Sequence, residues 1–209
     1  MGILLGYWAA MEWITIGDFG GSYEAGHTLA CYLDINWLPG KGVIEQCNSE
    51  GILGTFTAIV NVLAGVMAGE WLRRAKSSDY QKVLGLLCAG SVAWGVGKLW
   101  DNVLPINKSL WTSSFVMVTV GWSLLLLGLF YLVVDVWKVR RGTLFFVVIG
   151  VNPLTIYMAD AFIDFQGIVE IMLGWSIFKF HPILADCLGC VLGWLILYYL
   201  YCKKIFWRV

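Results

Sequence analysis

The polar segment Pro105–Ser114, with the sequence Pro-Ile-Asn-Lys-Ser-Leu-Trp-Thr-Ser-Ser, holds the best candidates for chemistry in this chain. We call it the cassette, and it lies between two long apolar runs. Asn107, Thr112 and Ser114 bring amide and hydroxyl groups into an otherwise apolar part of the chain, and such groups can donate hydrogen bonds to a developing negative charge. The first turn of the following helix also offers free backbone N–H groups, which favour anions.

The residues of the cassette also allow a purely structural interpretation. Pro105 ends the preceding helix, Lys108 stays at the membrane interface, and Trp111 anchors the next helix at the level of the lipid headgroups. The segment is then a helix N-cap with an aromatic anchor.

Polar residues inside the other apolar runs are costly in lipid and usually face protein or water. Asn61 lies within one run, and Asn152 lies within another, directly before Pro153. Proline removes a backbone donor, so the helix is expected to kink there and to place Asn152 at mid-membrane depth. The kink either lines a cavity or is only structural. Lys98 and Asp101 share a helix face and are expected to pair.

The composition indicates that the lipid bilayer is the solvent of this chain. Of its 209 residues, 59% are hydrophobic and 13% are charged, about half the charged share of soluble proteins. The net charge is zero, so nothing in the sequence indicates a nucleic-acid partner.

Apolar runs approaching the roughly 20 residues of a spanning helix predict an all-α, polytopic transmembrane helix bundle with about six spans. The spans are Met1–Ile16, Ile52–Leu72, Val83–Leu104, Leu110–Trp137, Thr143–Ile163 and Ile183–Cys202. The shorter run Ile168–Phe180 predicts an interfacial or re-entrant helix. We expect a single transmembrane domain, 1–209, with outer loops at 17–51 and at 164–182, the second of which holds the short helix.

Three basic clusters fall on one side of the membrane if these spans alternate, and the positive-inside rule places that side in the cytoplasm. The clusters are Arg73, Arg74, Lys76 and Lys82; Lys138, Arg140 and Arg141; and Lys203, Lys204 and Arg208. We therefore expect an integral protein of the plasma (inner) membrane with a cytoplasmic C-terminus. The clusters either only set this topology or also bind the phosphate groups of a ligand.

The cysteines allow two further interpretations. Cys31 and Cys47 lie in one predicted outer loop and can form a disulfide if that loop faces an oxidising compartment. Cys187 and Cys190 have a spacing found in metal and redox sites, but their position in an apolar span favours two small buried residues. We predict no metal site.

Several segments resemble, in family order, those of the heparan-alpha-glucosaminide N-acetyltransferase family, whose members are multi-span membrane acetyltransferases. The cassette resembles the family's Pro-Ile/Val-Asn-Lys-x-Leu-Trp-Ser/Thr-x-Ser segment. Five other segments resemble parts of the family and extend the resemblance over nearly the whole chain: Ser49–Thr55, Gly65–Gly69, Val134–Val136, Gly150–Leu154 and Tyr201–Arg208.

The resemblance implies transfer of an acetyl group from cytoplasmic acetyl-CoA, as co-substrate, to an amino sugar or envelope glycan on the opposite side of the membrane. It implies that basic residues hold the phosphates of acetyl-CoA, here Arg73, Arg74, Arg140 and Arg141. It also implies a supporting polar site made of Asn107, Lys108, Trp111, Thr112, Ser114, Asn152 and Glu50.

The family's catalytic histidine segment has no counterpart here, so no catalytic residue is assigned. The two histidines, His27 and His181, do not match it; we expect His27 to lie in a surface loop and His181 to start a helix. We expect the chain to be the C-terminal part of a longer acyltransferase that acts with an N-terminal half or as a homo-oligomer. The alternative is a non-enzymatic membrane bundle, either a solute carrier or an inactive partner subunit.

Overall fold

The computed structural model describes residues 1–24, 26–37, 51–75, 77–173 and 182–206. Within these ranges the chain is helical and contains no strand, which confirms the all-α class. The chain divides into two compact units, Met1–Lys138 and Val139–Val209, and each is described by itself. The expectation of a single transmembrane domain stays a prediction.

The described part of the first unit contains five α-helices. They are α1 (Gly2–Trp13), α2 (Leu29–Trp37), α3 (Ile52–Arg73), α4 (Asp79–Trp100) and α5 (Ser113–Tyr131), and α5 continues as a π-helical segment, Leu132–Val136. The described part of the second unit contains α6 (Thr143–Val151), α7 (Pro153–Phe162), α8 (Phe165–Leu173) and α9 (Pro182–Cys202).

Three helices of the described residues are long and apolar enough to cross a membrane: α3, α4, and α5 with its π-helical extension. At 1.5 Å per residue, the 22 residues of α3 extend over about 33 Å, which matches the hydrocarbon core of a bilayer. The predicted first span is instead the 12-residue α1, and the apolar stretch of α9, Asp186–Cys202, is also shorter. The count of six spans therefore stays a prediction.

Local capping sets helix starts that hydropathy alone placed elsewhere. The helix α4 begins at Asp79 because Ser78 and Gln81 form a capping box, in which each side chain accepts a hydrogen bond from the other residue's backbone N–H (3.3 and 3.0 Å). Hydropathy placed this start at Val83, since the residues before it are polar.

The helices α4 and α5 pack closely through glycines. A Cβ atom at Gly121 would lie 2.6 Å from the backbone nitrogen of Trp94, and one at Gly97 would lie 2.8 Å from the backbone nitrogen of Val118. Small residues of this kind let helix backbones approach in membranes, where burial of apolar surface does not drive association.

The predicted outer loop 17–51 contains a helix, α2, that is tied to the start of α3. The Asp34 carboxylate accepts a hydrogen bond from the backbone N–H of Ile52 (2.9 Å) and lies so close to Gly51 that a Cβ atom there would collide with it. Cys31 is disulfide-bonded and buried, while its predicted partner Cys47 lies outside the described residues. Burial and the hydrogen bond that its hydroxyl donates to Glu12 raise the pKa of Tyr23 in the same loop.

In the second unit the predicted span Thr143–Ile163 does not form one helix, which corrects the sequence-based expectation. It divides into α6 and α7 at Asn152, whose backbone leaves the helical region (φ −134°, ψ 50°). Pro153 cannot donate a backbone hydrogen bond and occupies the first position of a new helix instead. Neither piece, of nine and ten residues, reaches the length that a span requires.

The two pieces follow α9 in opposite directions. Near the start of α6, the carbonyl of Phe145 accepts a hydrogen bond from the indole of Trp194 (3.2 Å), while at its end the Asn152 side-chain N–H donates to the carbonyl of Ile205 (3.0 Å). The helix α6 therefore runs parallel to α9. In α7, Ile156 lies against Gly193, which shows that the chain has turned back. Asn152 thus lies beside the C-terminal end of α9 and not at the middle of a kinked span.

This geometry also separates two basic clusters that the sequence placed on one side. Arg140 and Arg141 precede α6, whereas Lys203 and Lys204 follow α9. Because α6 and α9 run in the same direction, the two pairs lie at opposite ends of α6. A cytoplasmic C-terminus therefore stays a prediction.

The predicted short helix of the second outer loop is present as α8, although it begins earlier than the predicted Ile168. Its buried residue Val169 packs against Leu188 and Leu192 of α9. The remainder of the predicted helix, 174–180, lies outside the described residues.

We expect Gly121→Ala to destabilise the first unit by about 1–3 kcal/mol, since the new methyl group meets the backbone of α4. The control is Gly95→Ala in α4, where a Cβ atom would have nothing within 4 Å and alanine favours the helix. Thermal unfolding in detergent should give a lower Tm for the first variant and an equal or higher Tm for the second. Equal Tm values for all three proteins would contradict the close packing of α4 and α5.

We expect Asn152→Ala to release the C-terminal residues, because Asn152 holds the carbonyl of Ile205. Limited trypsin digestion in detergent, followed by mass spectrometry, should show several-fold faster cleavage after Lys203 and Lys204. The control is Asn102→Ala, which removes an exposed amide bonded only to the nearby Leu99 carbonyl (3.0 Å). Cleavage of both variants at the wild-type rate would show that Asn152 does not hold this segment.

Candidate functional site

The cassette joins α4 to α5 and folds around one buried hydroxyl group. Thr112 Oγ1 donates to the carbonyl of Pro105 (2.9 Å) and accepts from the backbone N–H of Asn107 (3.1 Å). It also accepts from the backbone N–H of Phe115 (3.4 Å) and so caps α5. The structural interpretation of the cassette as an N-cap is therefore confirmed, and α5 begins at Ser113 rather than at Leu110.

The two serines that follow are also fully buried and bonded within the protein. Ser113 Oγ donates to the carbonyl of Leu4 in α1 (2.7 Å), and Ser114 Oγ donates to the carbonyl of Pro105 (3.2 Å). The oxygens of Ser114 and Thr112 are 3.1 Å apart. The hydroxyl groups of Thr112 and Ser114 thus satisfy the Pro105 carbonyl, which a membrane would otherwise leave without a donor.

Asn107 and Asp101 use side-chain oxygens to shape the first half of the cassette. Asn107 Oδ1 accepts from the backbone N–H of Ser109 (2.8 Å), and Asp101 Oδ1 accepts from that of Ile106 (2.9 Å). The other oxygen of Asp101 lies 3.7 Å from Lys98 Nζ, which confirms the predicted ion pair. Among the described residues, the N–H₂ group of Asn107 has no hydrogen-bond partner, so it is available as a donor.

Trp111 is held in a backbone conformation that non-glycine residues rarely adopt. Its φ is +48°, in the left-handed region, which costs about 1–2 kcal/mol. Thr57 of α3 donates to its carbonyl (2.7 Å), and Tyr7 of α1 donates to the carbonyl of the preceding Leu110 (2.8 Å). Gly54 of α3 faces the tryptophan, and a Cβ atom there would make an ordinary contact, 3.5 Å from that of Trp111.

Three of the residues that hold the cassette were not predicted from the sequence: Tyr7, Thr57 and Ser113. Each is a hydroxyl residue inside or beside an apolar run, and in lipid such a group needs a carbonyl partner. That signal exists in the sequence, but the partner carbonyls are far away along the chain and cannot be identified there.

The other predicted site residues are not brought into this network. Lys108 is exposed, Asn152 belongs to the second unit, and Glu50 lies outside the described residues. His27 is exposed in a loop, as predicted, and His181 is not among the described residues.

The four basic residues proposed to bind phosphates form two pairs in different units. Arg73 ends α3, and Arg74 follows it with its guanidinium 5.1 Å from the centre of the Trp71 ring. Arg140 and Arg141 are exposed before α6.

Two buried polar atoms of the first unit have no hydrogen-bond partner among the described residues. They are the indole N–H of Trp8 in α1 and the side-chain oxygen of Asn61 in α3. In the second unit, Cys187 and Cys190 are free thiols and are exposed, which differs from the expectation that they are buried.

Comparison with known proteins places this chain beside one group of enzymes. It is 30% identical over 212 residues to heparan-alpha-glucosaminide N-acetyltransferase of Homo sapiens, which covers 93% of this chain and 32% of the human protein. It is 29% identical over 169 residues to the Mus musculus protein of the same name, covering 77% of this chain and 25% of that protein. The chain thus spans about a third or less of the length of these relatives. No protein-family model matches it.

We expect Thr112→Val to destabilise the first unit by about 1–3 kcal/mol, because it removes the hydroxyl that satisfies Pro105 and Asn107. Thr112→Ser keeps the hydroxyl and should therefore keep most of the stability that Thr112→Val loses. The matched control is Thr119→Val. The hydroxyl of Thr119 donates only to the nearby Val116 carbonyl (2.9 Å), so its removal should lower the free energy of unfolding less. Unfolding in detergent mixtures measures the free energy of unfolding of each variant. Equal decreases for Thr112→Val and Thr119→Val would contradict this expectation.

Proposed function

We propose, from the resemblance of this chain to the heparan-alpha-glucosaminide N-acetyltransferases over most of its length, that it forms part of a membrane N-acetyltransferase. The resemblance is the observation that carries the proposal. The three apolar helices of spanning length agree with an integral membrane protein.

The proposed reaction moves an acetyl group from acetyl-CoA to the amine of an amino sugar or envelope glycan. The carbonyl carbon forms a bond to the amine nitrogen and loses its bond to the CoA sulfur, while the amine proton passes to a base and the thiolate is protonated. Negative charge develops on the carbonyl oxygen, and a fixed N–H donor stabilises it. The chain's histidines do not match the family motif, so we assign no residue of this chain as the base.

Within the cassette, the structure supports different roles for different residues. Thr112 and Ser114 are already bonded to the Pro105 carbonyl, so we assign them to positioning. The N–H₂ group of Asn107 is available, and we propose that it donates to the oxyanion. The strained backbone of Trp111 fits a segment held in place for function, since such strain is frequent at active sites.

The donor is proposed to bind at the opposite side of the membrane from the acceptor. Arg73 and Arg74 at the end of α3 would contact the phosphates of acetyl-CoA, since guanidinium groups bind phosphate through paired N–H bonds. The same role for Arg140 and Arg141, and a supporting role for Glu50 and Asn152, stay predictions from the sequence. A plasma (inner) membrane location, a cytoplasmic C-terminus, and action with an N-terminal half or as a homo-oligomer are part of the same proposal.

A second candidate function is a non-enzymatic membrane bundle that carries a solute or supports an active subunit. One observation favours it: the buried oxygen of Asn61 in α3 has no hydrogen-bond partner among the described residues. A polar group in this position is costly unless water or a polar solute contacts it. Flux of a glycan precursor into proteoliposomes without acetyl-CoA would favour this candidate.

The test measures acetyl transfer from labelled acetyl-CoA to amino sugars by membranes that hold the longest natural product of this gene. We expect an N-acetylated sugar with the wild type and about a hundredfold lower kcat with Asn107→Asp, which keeps the turn-forming oxygen but loses the N–H₂ donor. Asn102→Ala serves as the control. Unaltered kcat in Asn107→Asp would remove Asn107 from the site.

The proposed function itself is overturned if these membranes, with folded protein present, acetylate no amino sugar and no envelope glycan.

A further inference from the structure

The second unit contains a cavity of about 1030 Å³ between α6, α7, α9 and the start of α8. This volume lies at the upper end of the range for ligand pockets. Small residues of α9 provide the room, because Gly189, Cys190 and Gly193 line the cavity where larger side chains would fill it. Tyr157 and Phe162 of α7 also line it and are exposed, so the cavity is open to its surroundings.

Stacked aromatic rings fix one wall of the cavity. The ring of Phe145 in α6 stacks on that of Trp194 in α9 (centroids 5.5 Å apart, 14° between the planes), and Trp194 stacks in turn on Tyr198 (5.3 Å, 13°). The indole N–H of Trp194 donates to the carbonyl of Phe145 (3.2 Å), so its single donor is used within the protein. This wall therefore offers a ligand apolar contact rather than a hydrogen bond.

The charged groups among the described lining residues are two carboxylates. Asp164 lies between α7 and α8, and Asp186 lies near the start of α9. Because α7 runs back along α9 from Gly193, its end and Asp164 lie towards the start of α9, as Asp186 does. The cavity thus has an anionic end and an apolar end, the latter at Trp194 and Leu197.

The length of the cavity matches one leaflet of a bilayer. Along α9 its lining residues extend from Asp186 to Leu197, which at 1.5 Å per residue is about 16 Å. This is close to half of the hydrocarbon core, which is about 30 Å thick. An empty space of this size would lose the dispersion contacts of its lining. Hydrocarbon chains of the bilayer can fill it, since they are as apolar as its walls.

A primary ammonium group complements the anionic end, because it donates charge-assisted hydrogen bonds to carboxylates, whereas a headgroup with a net negative charge is repelled. We propose that this cavity binds a membrane lipid of the phosphatidylethanolamine class. Its ammonium group contacts Asp164 and Asp186, and one acyl chain extends along α9 to Leu197. The apolar walls accept the chain of any lipid, so the headgroup decides the selectivity. This lipid site is independent of the proposed acetyltransferase function.

Thiol alkylation tests the occupant, because Cys190 lines the cavity while Cys187, also an exposed thiol, lies outside its described lining. The full chain in detergent receives phosphatidylethanolamine, phosphatidylcholine or phosphatidylglycerol, and then N-ethylmaleimide. Fragment mass spectra give the alkylation rate of each cysteine. We expect phosphatidylethanolamine to protect Cys190 at about tenfold lower concentration than phosphatidylglycerol, the effect of a charge-assisted contact. The rate at Cys187 should stay the same.

Two carboxylate variants test the role of the headgroup. Asp164→Asn combined with Asp186→Asn removes both charges and should make the three lipids protect Cys190 equally. Asparagine keeps an Oδ1 acceptor for the backbone N–H of Gly167, which Asp164 bonds (2.9 Å), so α8 keeps its start. Asp135→Asn, which removes an exposed carboxylate of the first unit, should behave as the wild type does.

Native mass spectrometry provides a second readout with a matched pair of variants. Cys190→Trp fills the cavity and should lose the phosphatidylethanolamine that the wild type retains, whereas Cys187→Trp should keep it. Equal protection of Cys190 by all three lipids in the wild type, or a preference that persists in the double variant, would overturn recognition of the headgroup. If no lipid protects Cys190, or if glucosamine alone protects it, the cavity is not a lipid site. The proposed acetyltransferase function stands in each of these cases.

Discussion

The structure of the first unit depends on one constraint of the bilayer: a carbonyl freed at a helix end needs a donor inside the protein. At the connection from α4 to α5, side-chain hydroxyl groups meet this need. Thr112 and Ser114 both bond the freed carbonyl of Pro105. Ser113 bonds the carbonyl of Leu4 inside α1 and so joins α5 to that helix. Since these bonds cross from α5 to the connection and to α1, the same hydroxyl groups that cap one helix also fix its neighbours. The cassette is therefore rigid where it is buried and presents Asn107 and Lys108 at its less buried side.

The second consequence of the lipid environment is that helix spacing depends on side-chain size. Where a glycine of one helix faces the other helix, as Gly97 faces Val118 and Gly121 faces Trp94, the backbones of α4 and α5 come close together. Where a large ring stands against a glycine, as Trp71 does at Gly85, α3 and α4 are kept apart and a cavity remains. In both places glycine allows a close approach, but the approaching atoms are backbone in one case and an indole ring in the other.

Much of the local structure could be predicted from the sequence. The apolar runs indicate α3, α4 and α5 to within a few residues, the three-residue spacing of Lys98 and Asp101 indicates their ion pair, and the cassette's polar residues indicate a helix cap. A kink at Asn152-Pro153 was also expected, since proline cannot continue the hydrogen bonds of a helix, although the structure has two separate short helices there. These features depend on neighbours along the chain, which a sequence shows directly.

The sequence by itself thus determined that this is an apolar helical chain with an irregularity at Asn152-Pro153, and which enzymes it resembles. Only the tertiary structure decided that the hydroxyl groups of Thr112 and Ser114 are already used, that Tyr7 and Thr57 hold the cassette, and that α7 turns back along α9. These depend on contacts between residues tens of positions apart, such as Thr57 with Trp111 or Asn152 with Ile205. A hydrophobic pattern records which residues avoid water, but it does not record which distant carbonyl a buried donor will reach.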